Sequence, residues 1–221
     1  MITVHHLNNS RSQRVLWLLE ELEVPYDLRR YERDRATMLA PPALLAVHPL
    51  GKSPVIEEDG LVVAETGAIV EYILERHGAG RLLPPPDGAD RWRLRHWMHH
   101  AEGSAMPPLV MALVLGKLPE RVPFPLRPLA RMIVAGAQKG FVAPNLERLK
   151  TYWNDALAPT GWFAGPEMTA ADIMMSFPLE AAASRSPFGE GRPNPTAFLA
   201  RIHARPAFRR ALERGGPYAY A

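Results

Sequence analysis

The chain has 221 residues, of which 47% are hydrophobic and 22% are charged, as in a globular protein with one large or two small domains. A net charge of +3 is too small to indicate nucleic-acid binding, and the lack of cysteine excludes disulfides, thiolate zinc sites and a Cys-x-x-Cys redox pair. We find no signal-peptide pattern and no run of about 18 apolar residues, so we expect a cytoplasmic protein with no membrane or nucleic-acid partner.

The first part of the chain predicts the order β-α-β-α-β-β-α. Val15, Leu18, Leu19 and Leu22 recur at i, i+3, i+4 and i+7, which indicates the buried face of a helix. Asp59-Gly60 separates two apolar runs and predicts a tight hairpin. The predicted strands are 2–7, 26–31, 54–58 and 61–64, and the predicted helices are 12–22, a short or irregular helix within 32–47, and 66–77.

The stretch before residue 89 is rich in proline and predicts a linker, and helical patterns fill the rest of the chain. Thr169 and Asp172 have the spacing of a capping box at a helix start. We predict an α/β domain at 1–82, a linker at 83–88 and an all-α domain at 89–221. The predicted helices are 90–105, 109–117, 129–157 with an interruption near Pro144, 168–184 and 195–214, with a proline-rich break at 119–128.

Pro54 stands where the third strand is predicted to begin. Proline cannot donate to a sheet ladder, so it is typical of the first residue of a strand, an edge or a bulge. The local sequence alone favours a trans bond, because few X-Pro bonds are cis. A cis Ser53–Pro54 bond would turn the chain and leave the backbone of Val55 facing a cleft, where an extended peptide could add as a strand.

Three motifs occur along the chain: HPLGKSPVI at 48–56, Glu65-Thr66 before a helix, and TAADI at 169–173. With the segments 9–11, 102–104 and 173–179, their order and spacing resemble a microbial branch of the glutathione transferase family over nearly the whole chain. The resemblance implies a thioredoxin-like βαβαββα domain with a cis-proline before its third strand, followed by an all-helical domain. It also implies a homodimer that pairs the N-terminal domain of one subunit with the helical domain of the other.

The resemblance further implies a glutathione site in the N-terminal domain. Thr66 would bind the γ-glutamyl carboxylate, since the free N–H groups of a helix N-terminus favour an anion. Glu65 would accept from the α-ammonium group or orient a neighbour, unless both residues only cap the helix. Lys52 would reach the glycine carboxylate, and His48 would stabilise the loop. The implied glutathione-binding residues are Ser10, Arg11, Lys52, Ser53, Pro54, Val55, Glu65 and Thr66.

Ser10 is the catalytic candidate, because serine-type members of the family have a similar Ser-x-x-x-Arg setting and Arg14 follows here. A thiol has a pKa of about 8.5, and lowering that pKa by about 2 units needs roughly 2.7 kcal/mol of preferential thiolate stabilisation. A hydroxyl donor could contribute it without acting as a nucleophile. Asn9, Arg11 and Ser12 are alternatives, and Ser10 could be only a helix cap.

A second substrate would lie between the domains, with Trp97, His100 and Met106 as candidate contacts, although Trp97 could equally be core. His96, His99, His100 and Glu102 form a cluster with metal-like spacing, and His96 and His100 are i, i+4 on one helix face. No third ligand is evident, so no metal is expected. We predict a glutathione transferase that presents the thiol to a hydrophobic electrophile. A glutathione-dependent peroxidase or isomerase, or a non-catalytic scaffold of the same fold, are the alternatives.

The two predicted domains differ in charge. Residues 1–82 carry 9 Lys/Arg against 12 Asp/Glu, and residues 83–221 carry 17 against 11. Opposite net charges are compatible with the implied pairing of unlike domains in a dimer.

Overall fold

A computed structural model describes residues 1–34, 37 and 39–220. Its sheet has the order β2-β1-β3-β4, formed by β1 (Ile2–Leu7), β2 (Tyr26–Tyr31), β3 (Val55–Glu58) and β4 (Leu61–Ala64). The pair β1 and β2 is parallel, and β3 runs antiparallel to both β1 and β4. The predicted thioredoxin-like unit followed by helices is confirmed, whereas the boundaries 1–82, 83–88 and 89–221 stay a prediction.

Ten α-helices occur in the described ranges: α1 (Ser12–Glu21), α2 (Pro42–Leu45), α3 (Thr66–His77), α4 (Ala89–His100), α5 (Met106–Arg121), α6 (Arg127–Ala137), α7 (Ala143–Leu157), α8 (Ala170–Ala183), α9 (Pro193–His203) and α10 (Pro206–Gly215). A π-helical turn, Ala101–Ala105, joins α4 to α5, and a second one, Gln138–Val142, joins α6 to α7. The predicted helix within 32–47 is limited to α2, and positions 35, 36 and 38 of that prediction lie outside the described residues.

Three proline positions explain where predicted and observed helix ends differ. Pro119 lies inside α5, close to its end, so that the predicted break begins later than expected. Pro144 lies in the first turn of α7, where a missing N–H costs little. Pro206 separates α9 from α10, because the preceding Arg205 adopts the extended conformation that a following proline favours.

Helix α1 connects the two parts of the molecule. It packs against the sheet, α3, α8 and α10, with Trp17 and Phe208 in an edge-to-face contact at 5.2 Å. Arg205 forms an ion pair with Glu21 at the same junction. Because the last helix is held on the first, the loop before α1 has a fixed position relative to the helical part.

The predicted capping box at the start of α8 is confirmed. Thr169 N–H donates to Asp172 Oδ2 at 2.7 Å, and Ala171 N–H donates to Thr169 Oγ1 at 3.3 Å. Burial raises the pKa of Asp172 to about 6, although bonds from Phe163 and Thr169 oppose that rise. The box starts a helix that is buried along nearly its whole length.

Candidate active site

A cleft of about 260 Å³ lies between the loop before β3, the N-terminus of α3 and the π-helical turn after α4. It brings together two basic side chains, two acidic ones and two hydroxyls from segments far apart in the sequence. The lining residues are Arg11, His48, Leu50, Lys52, Ser53, Pro54, Ala64, Glu65, Thr66 and Glu102. Of the predicted glutathione-binding residues, all except Ser10 and Val55 line this cleft.

The loop before β3 turns sharply into the cleft. The Ser53–Pro54 peptide bond is cis, as the family resemblance implies. Gly51 has a φ of +55°, and a Cβ there would lie 2.7 Å from Leu45 Cδ2, so the turn requires glycine. His48 Nδ1 accepts from Leu50 N–H at 3.4 Å, which fits the loop-stabilising place expected for His48.

The expectation that the backbone of Val55 faces the cleft is wrong. Val55 is fully buried inside the sheet, with His5 of β1 as its partner on one side and Ala64 of β4 on the other. Val55, the residue after the proline, is therefore occupied by the pairing of β3 with β1 and β4. Ser53, the residue before it, lines the cleft instead.

Glu65 and Thr66 form the turn from β4 into α3. Glu65 has a φ of +70°, which is rare for a residue other than glycine and is often retained at functional sites. Thr66 is buried, and its Oγ1 accepts from Arg14 Nη2 at 3.4 Å. Because Thr66 Oγ1 accepts that bond, its own hydrogen is free to donate toward the cleft.

Two arginines from the start of α1 share one carboxylate of the helical part. Arg14 is 1% exposed and donates to Met174 O at 2.6 Å and to Glu102. Arg11 Nε lies 2.9 Å from the other carboxylate oxygen of Glu102. Burial alone would raise the pKa of Glu102, but the charges of Arg14 and Arg11 outweigh it and lower that pKa. The carboxylate is therefore ionised and links both domains at the cleft wall.

Behind the cleft wall, hydroxyl groups form a chain that ends on a histidine. Ser53 Oγ lies 3.3 Å from Ser10 Oγ, which lies 2.7 Å from Ser12 Oγ, which in turn lies 2.8 Å from His6 Nδ1. Burial, together with the charge of Arg30, lowers the pKa of His6 to about 4, so the ring is neutral at pH 7. Ser10 is 5% exposed and lies within this chain and not on the cleft surface.

The donors and acceptors of this chain follow from the groups at its two ends. The backbone of Gly215 accepts from His6, so we assign the ring hydrogen to Nε2 and leave Nδ1 as an acceptor. Ser12 then donates to Nδ1, and the single hydrogen of Ser10 can be donated to Ser12 Oγ or to Ser53 Oγ. Ser53 Oγ–H donates to His5 O at 2.9 Å. Ser10 can turn its hydrogen toward a ligand without depriving His6 of its donor, whereas Ser12 cannot.

Asn9 is the remaining alternative at this loop. Its Oδ1 accepts from Ala219 N–H at 2.8 Å, so the C-terminal segment is tied to the loop. Asn9 has a φ of +49° and does not line the cleft. Arg11 lines the cleft, and Ser10 Oγ lies 3.3 Å from Oγ of the cleft-lining Ser53, so the geometry favours these two over Asn9 and Ser12 as groups that could approach a ligand.

The three candidate contacts for a second substrate do not line the cleft. Trp97, His100 and Met106 are all buried, since they lie on the inward face of α4 and at the start of α5. Trp97 packs against Tyr152 and Phe163, and His100 Nε2 accepts from Trp153 Nε1 at 3.1 Å. Burial, together with His96, lowers the pKa of His100 to about 4. The expected apolar cleft at these residues is therefore a helical core.

A second hollow of about 700 Å³ lies on the outer side of that core, between α4, α7 and the segment after α7. Trp97 reaches its floor, and His96 forms a hydrogen bond with Tyr152 there at 2.9 Å. Within the described residues, no three His, Cys, Asp or Glu side chains are grouped to hold a metal ion.

Two residues of this site were missed or undervalued from the sequence. Glu102 was noted only within a motif and in a cluster with metal-like spacing, and Arg14 only as the neighbour that identifies Ser10. They are 88 positions apart and meet only because α1 packs against the helical part. The π-helical turn that carries Glu102 is a structural feature often found at functional sites, but it has no sequence signal.

Comparison with known proteins identifies the family. Residues 1–75 match the family described as "Glutathione S-transferase, N-terminal domain". The chain is 36% identical over 218 residues to Glutathione S-transferase 3 of Schizosaccharomyces pombe, which covers 97% of this chain and 88% of that protein. It is 33% identical over 193 residues to Glutathione S-transferase 1 of Saccharomyces cerevisiae, covering 84% and 82% of the two chains.

Among solved structures, a glutathione transferase family member from Pseudomonas fluorescens, solved with two glutathione bound, is similar at 26% identity with a TM-score of 0.74. The match covers 96% of this chain and 92% of that one. Together with the relatives above, these similarities and the observed architecture lead to one conclusion. The chain belongs to the glutathione S-transferase family of enzymes.

Proposed function

We propose that the cleft binds glutathione and that the enzyme ionises its thiol for attack on a hydrophobic electrophile. The observation that carries this proposal is the set of charges at the cleft. Lys52 is matched to one carboxylate, Thr66 and the N-terminus of α3 are matched to a second, and Glu65 is matched to one ammonium group. Glutathione carries those three charged groups, and a similar solved structure contains it.

The ends of the ligand are assigned by chemistry. The γ-glutamyl carboxylate accepts from the Thr66 hydroxyl and from the free N–H groups at the start of α3. The α-ammonium group lies against Glu65 and Glu102, and the glycine carboxylate lies against Lys52. The cysteinyl backbone pairs with Ser53, because Ser53 lines the cleft and Val55 is committed to the sheet.

The thiolate is stabilised by Ser10, with Arg11 as a nearby positive charge. Ser10 turns its hydrogen from Ser12 or Ser53 to the sulfur and keeps the bond from Ser12 N–H, which is 3.3 Å long in the resting site. The serine that had accepted this hydrogen loses one bond, and no buried hydrogen loses its acceptor, so the change costs little. His6 is too weak a base to take the thiol proton, because its pKa is about 4.

The electrophile lies at the open edge of the cleft. Leu50 lines that edge and is largely exposed, so it offers an apolar contact in place of Trp97, His100 and Met106. We also propose the homodimer that the family resemblance implies. Its check is the molar mass measured by light scattering.

Glutathione affinity tests the site directly. Thr66→Val keeps the shape of the side chain and removes the hydroxyl, so we expect about a tenfold weaker affinity by calorimetry, the value of one bond to a charged group. Thr151→Val is the control, since its hydroxyl donates to Glu147 O on α7, away from the cleft. Equal affinity of Thr66→Val and the wild type would remove Thr66 from the site. A panel of aryl halides, enones and hydroperoxides with glutathione then separates conjugation from peroxide reduction.

A further inference from the structure

The last described residues fold back over the loop before α1. Helix α10 is followed by Gly216, whose φ of +86° is a conformation that favours glycine, and the chain turns there. Ala219 N–H then donates to Asn9 Oδ1 at 2.8 Å, although the two residues are 210 positions apart. The 217–220 segment contains no helix or strand, so its position depends on contacts of this kind.

Tyr218 fixes the middle of this segment to α8. Its hydroxyl donates to Glu180 Oε2 at 2.5 Å, and the other oxygen of that carboxylate lies 2.9 Å from His203 Nε2. Glu180 is 1% exposed, so its oxygens need donors from the protein. Burial and the charge of Glu180 raise the pKa of Tyr218 well above its ordinary value. The Tyr218 hydroxyl therefore stays protonated and supplies one of those donors.

Tyr220 connects the segment to the arginines of the cleft wall. Its ring meets the ring of Phe177 edge-to-face at 5.5 Å, and Phe177 is buried. The guanidinium groups of Arg11 and Arg14 lie over that same ring, 5.7 and 5.5 Å from its centroid. Both distances are within the range of a cation–π contact. Through one ring, Tyr220 therefore supports the two side chains that pair with Glu102.

Contacts from this end of the chain reach the thiol-activating loop at two points. Gly215, just before the segment, accepts from His6 at the inner end of the hydroxyl chain. The segment itself binds Asn9, directly before Ser10. Asn9 has a φ of +49°, a conformation that costs energy and persists where the surroundings hold it. The described residues of the segment do not line the cleft, so they act on a ligand only through the residues that they hold.

We propose that the 217–220 segment is a positioning element for the loop that activates the thiol. By holding Asn9 and the ring of Phe177, it limits the loop to the arrangement from which Ser10 and Arg11 reach the sulfur of glutathione. This role rests on the proposed function, because it requires glutathione bound in the cleft. All of these contacts lie within one chain, so the segment acts on the loop of its own subunit.

The pKa of the thiol of bound glutathione, titrated by thiolate absorbance with the full chain, tests this role. Tyr220→Ala removes the ring on Phe177 and should raise the thiol pKa by about 0.5 unit, which is about a threefold lower ratio of thiolate to thiol. Tyr220→Phe keeps the ring and should match the wild type. Asn9→Gly keeps the backbone conformation and removes the acceptor, so we expect a similar rise. The double variant of Asn9→Gly and Tyr220→Ala should rise less than the sum, since both changes release one segment.

Tyr152→Ala is the matched control, because Tyr152 is a half-exposed tyrosine that stacks on the buried ring of Trp97 at 5.0 Å, away from the cleft. It should lower the free energy of unfolding by urea and leave the thiol pKa unchanged. If Tyr220→Ala and Asn9→Gly also lose only stability and keep the wild-type thiol pKa, the segment merely covers the core and the positioning role is overturned. A wild type whose bound glutathione titrates near the free thiol value of about 8.5 would instead overturn the proposed function, and this role with it.

Discussion

The cleft and the hairpin of helices α5 and α6, residues 106–142, reverse the usual distribution of polarity in opposite directions. At the cleft, polar side chains such as Arg14 and Ser10 are buried, and each is held by hydrogen bonds or an ion pair. On the hairpin, Phe124 and Ile133 are apolar and exposed, with no partner in the chain that would cover them. Buried polar groups and exposed apolar groups are the informative departures from normal packing. Buried polar groups contribute to folding and to the chemistry of the site, whereas exposed apolar groups contribute to neither unless a partner binds them.

Removing the negative charge of Glu102 at the cleft wall should have the largest effect on stability. Glu102→Gln leaves the buried Arg14 without its opposite charge, so we expect a loss of about 3 kcal/mol in the free energy of unfolding by urea. Asp90→Asn is the control, because Asp90 pairs with Arg93, whose side chain is largely exposed on α4. That control should lose less than about 1 kcal/mol. Equal losses would mean that burial of Arg14 does not set the cost.

The buried histidine of the hydroxyl chain should make stability depend on pH. The pKa of His6 is about 4 in the folded chain, against 6.5 as its ordinary value. The unfolded chain therefore binds a proton first, and stability is lost as the pH falls from 6.5 toward 4. At pH 5, His6 alone should cost about 2 kcal/mol relative to pH 7.

His6→Gln isolates that contribution, because the amide can accept from Ser12 and donate to Gly215 without titrating. We expect the urea midpoint of this variant to fall less between pH 7 and pH 5 than that of the wild type. His100 and Asp172 titrate alike in both proteins and cancel in the comparison. Parallel pH curves would show that His6 is not protonated on unfolding in this range.

The capping box at α8 should have a smaller effect. Thr169→Ala removes the side chain that accepts from Ala171 N–H, and a lost N-cap costs about 1 kcal/mol. Thr169→Ser keeps the acceptor and should stay close to the wild type in the same urea measurement. A loss as large for serine as for alanine would assign the effect to packing of the methyl group.

The hairpin should contribute least to the stability of the chain. Ile133→Ser changes an exposed apolar residue, so we expect a change below about 0.5 kcal/mol in the free energy of unfolding. Its neighbour Val134 is buried, and Val134→Ala should cost at least about 1 kcal/mol by loss of packing. If Ile133→Ser proved as costly as Val134→Ala, the exposed face of α6 would be part of the core.

Local patterns predicted the sheet unit well. β1, β2, β4 and α3 begin and end where alternation, the Asp59-Gly60 turn and helical spacing place them. Thr66 and Lys52 were assigned to a glutathione site by the resemblance to a known family, and both line the cleft. The resemblance to a known family, and not any local signal, identified the cis bond at Pro54.

The errors have a common cause, since they all depend on packing between distant elements. Val55 is withdrawn from the cleft by pairing with both β1 and β4, which a strand pattern does not reveal. Trp97 and His100 were expected to face a cleft, but α4 turns them toward α7. Glu102 reaches the cleft only because the first helix packs against the helical part.

The pKa of bound glutathione tests the central claim most directly. Titration of thiolate absorbance in the complex should give a pKa about 2 units below the free thiol value of about 8.5. Ser10→Ala should raise that pKa by about 1 unit, the equivalent of one hydrogen bond to the charged sulfur, while Ser176→Ala on α8 leaves it unchanged. A thiol that binds in the cleft and still titrates near 8.5 would contradict the account.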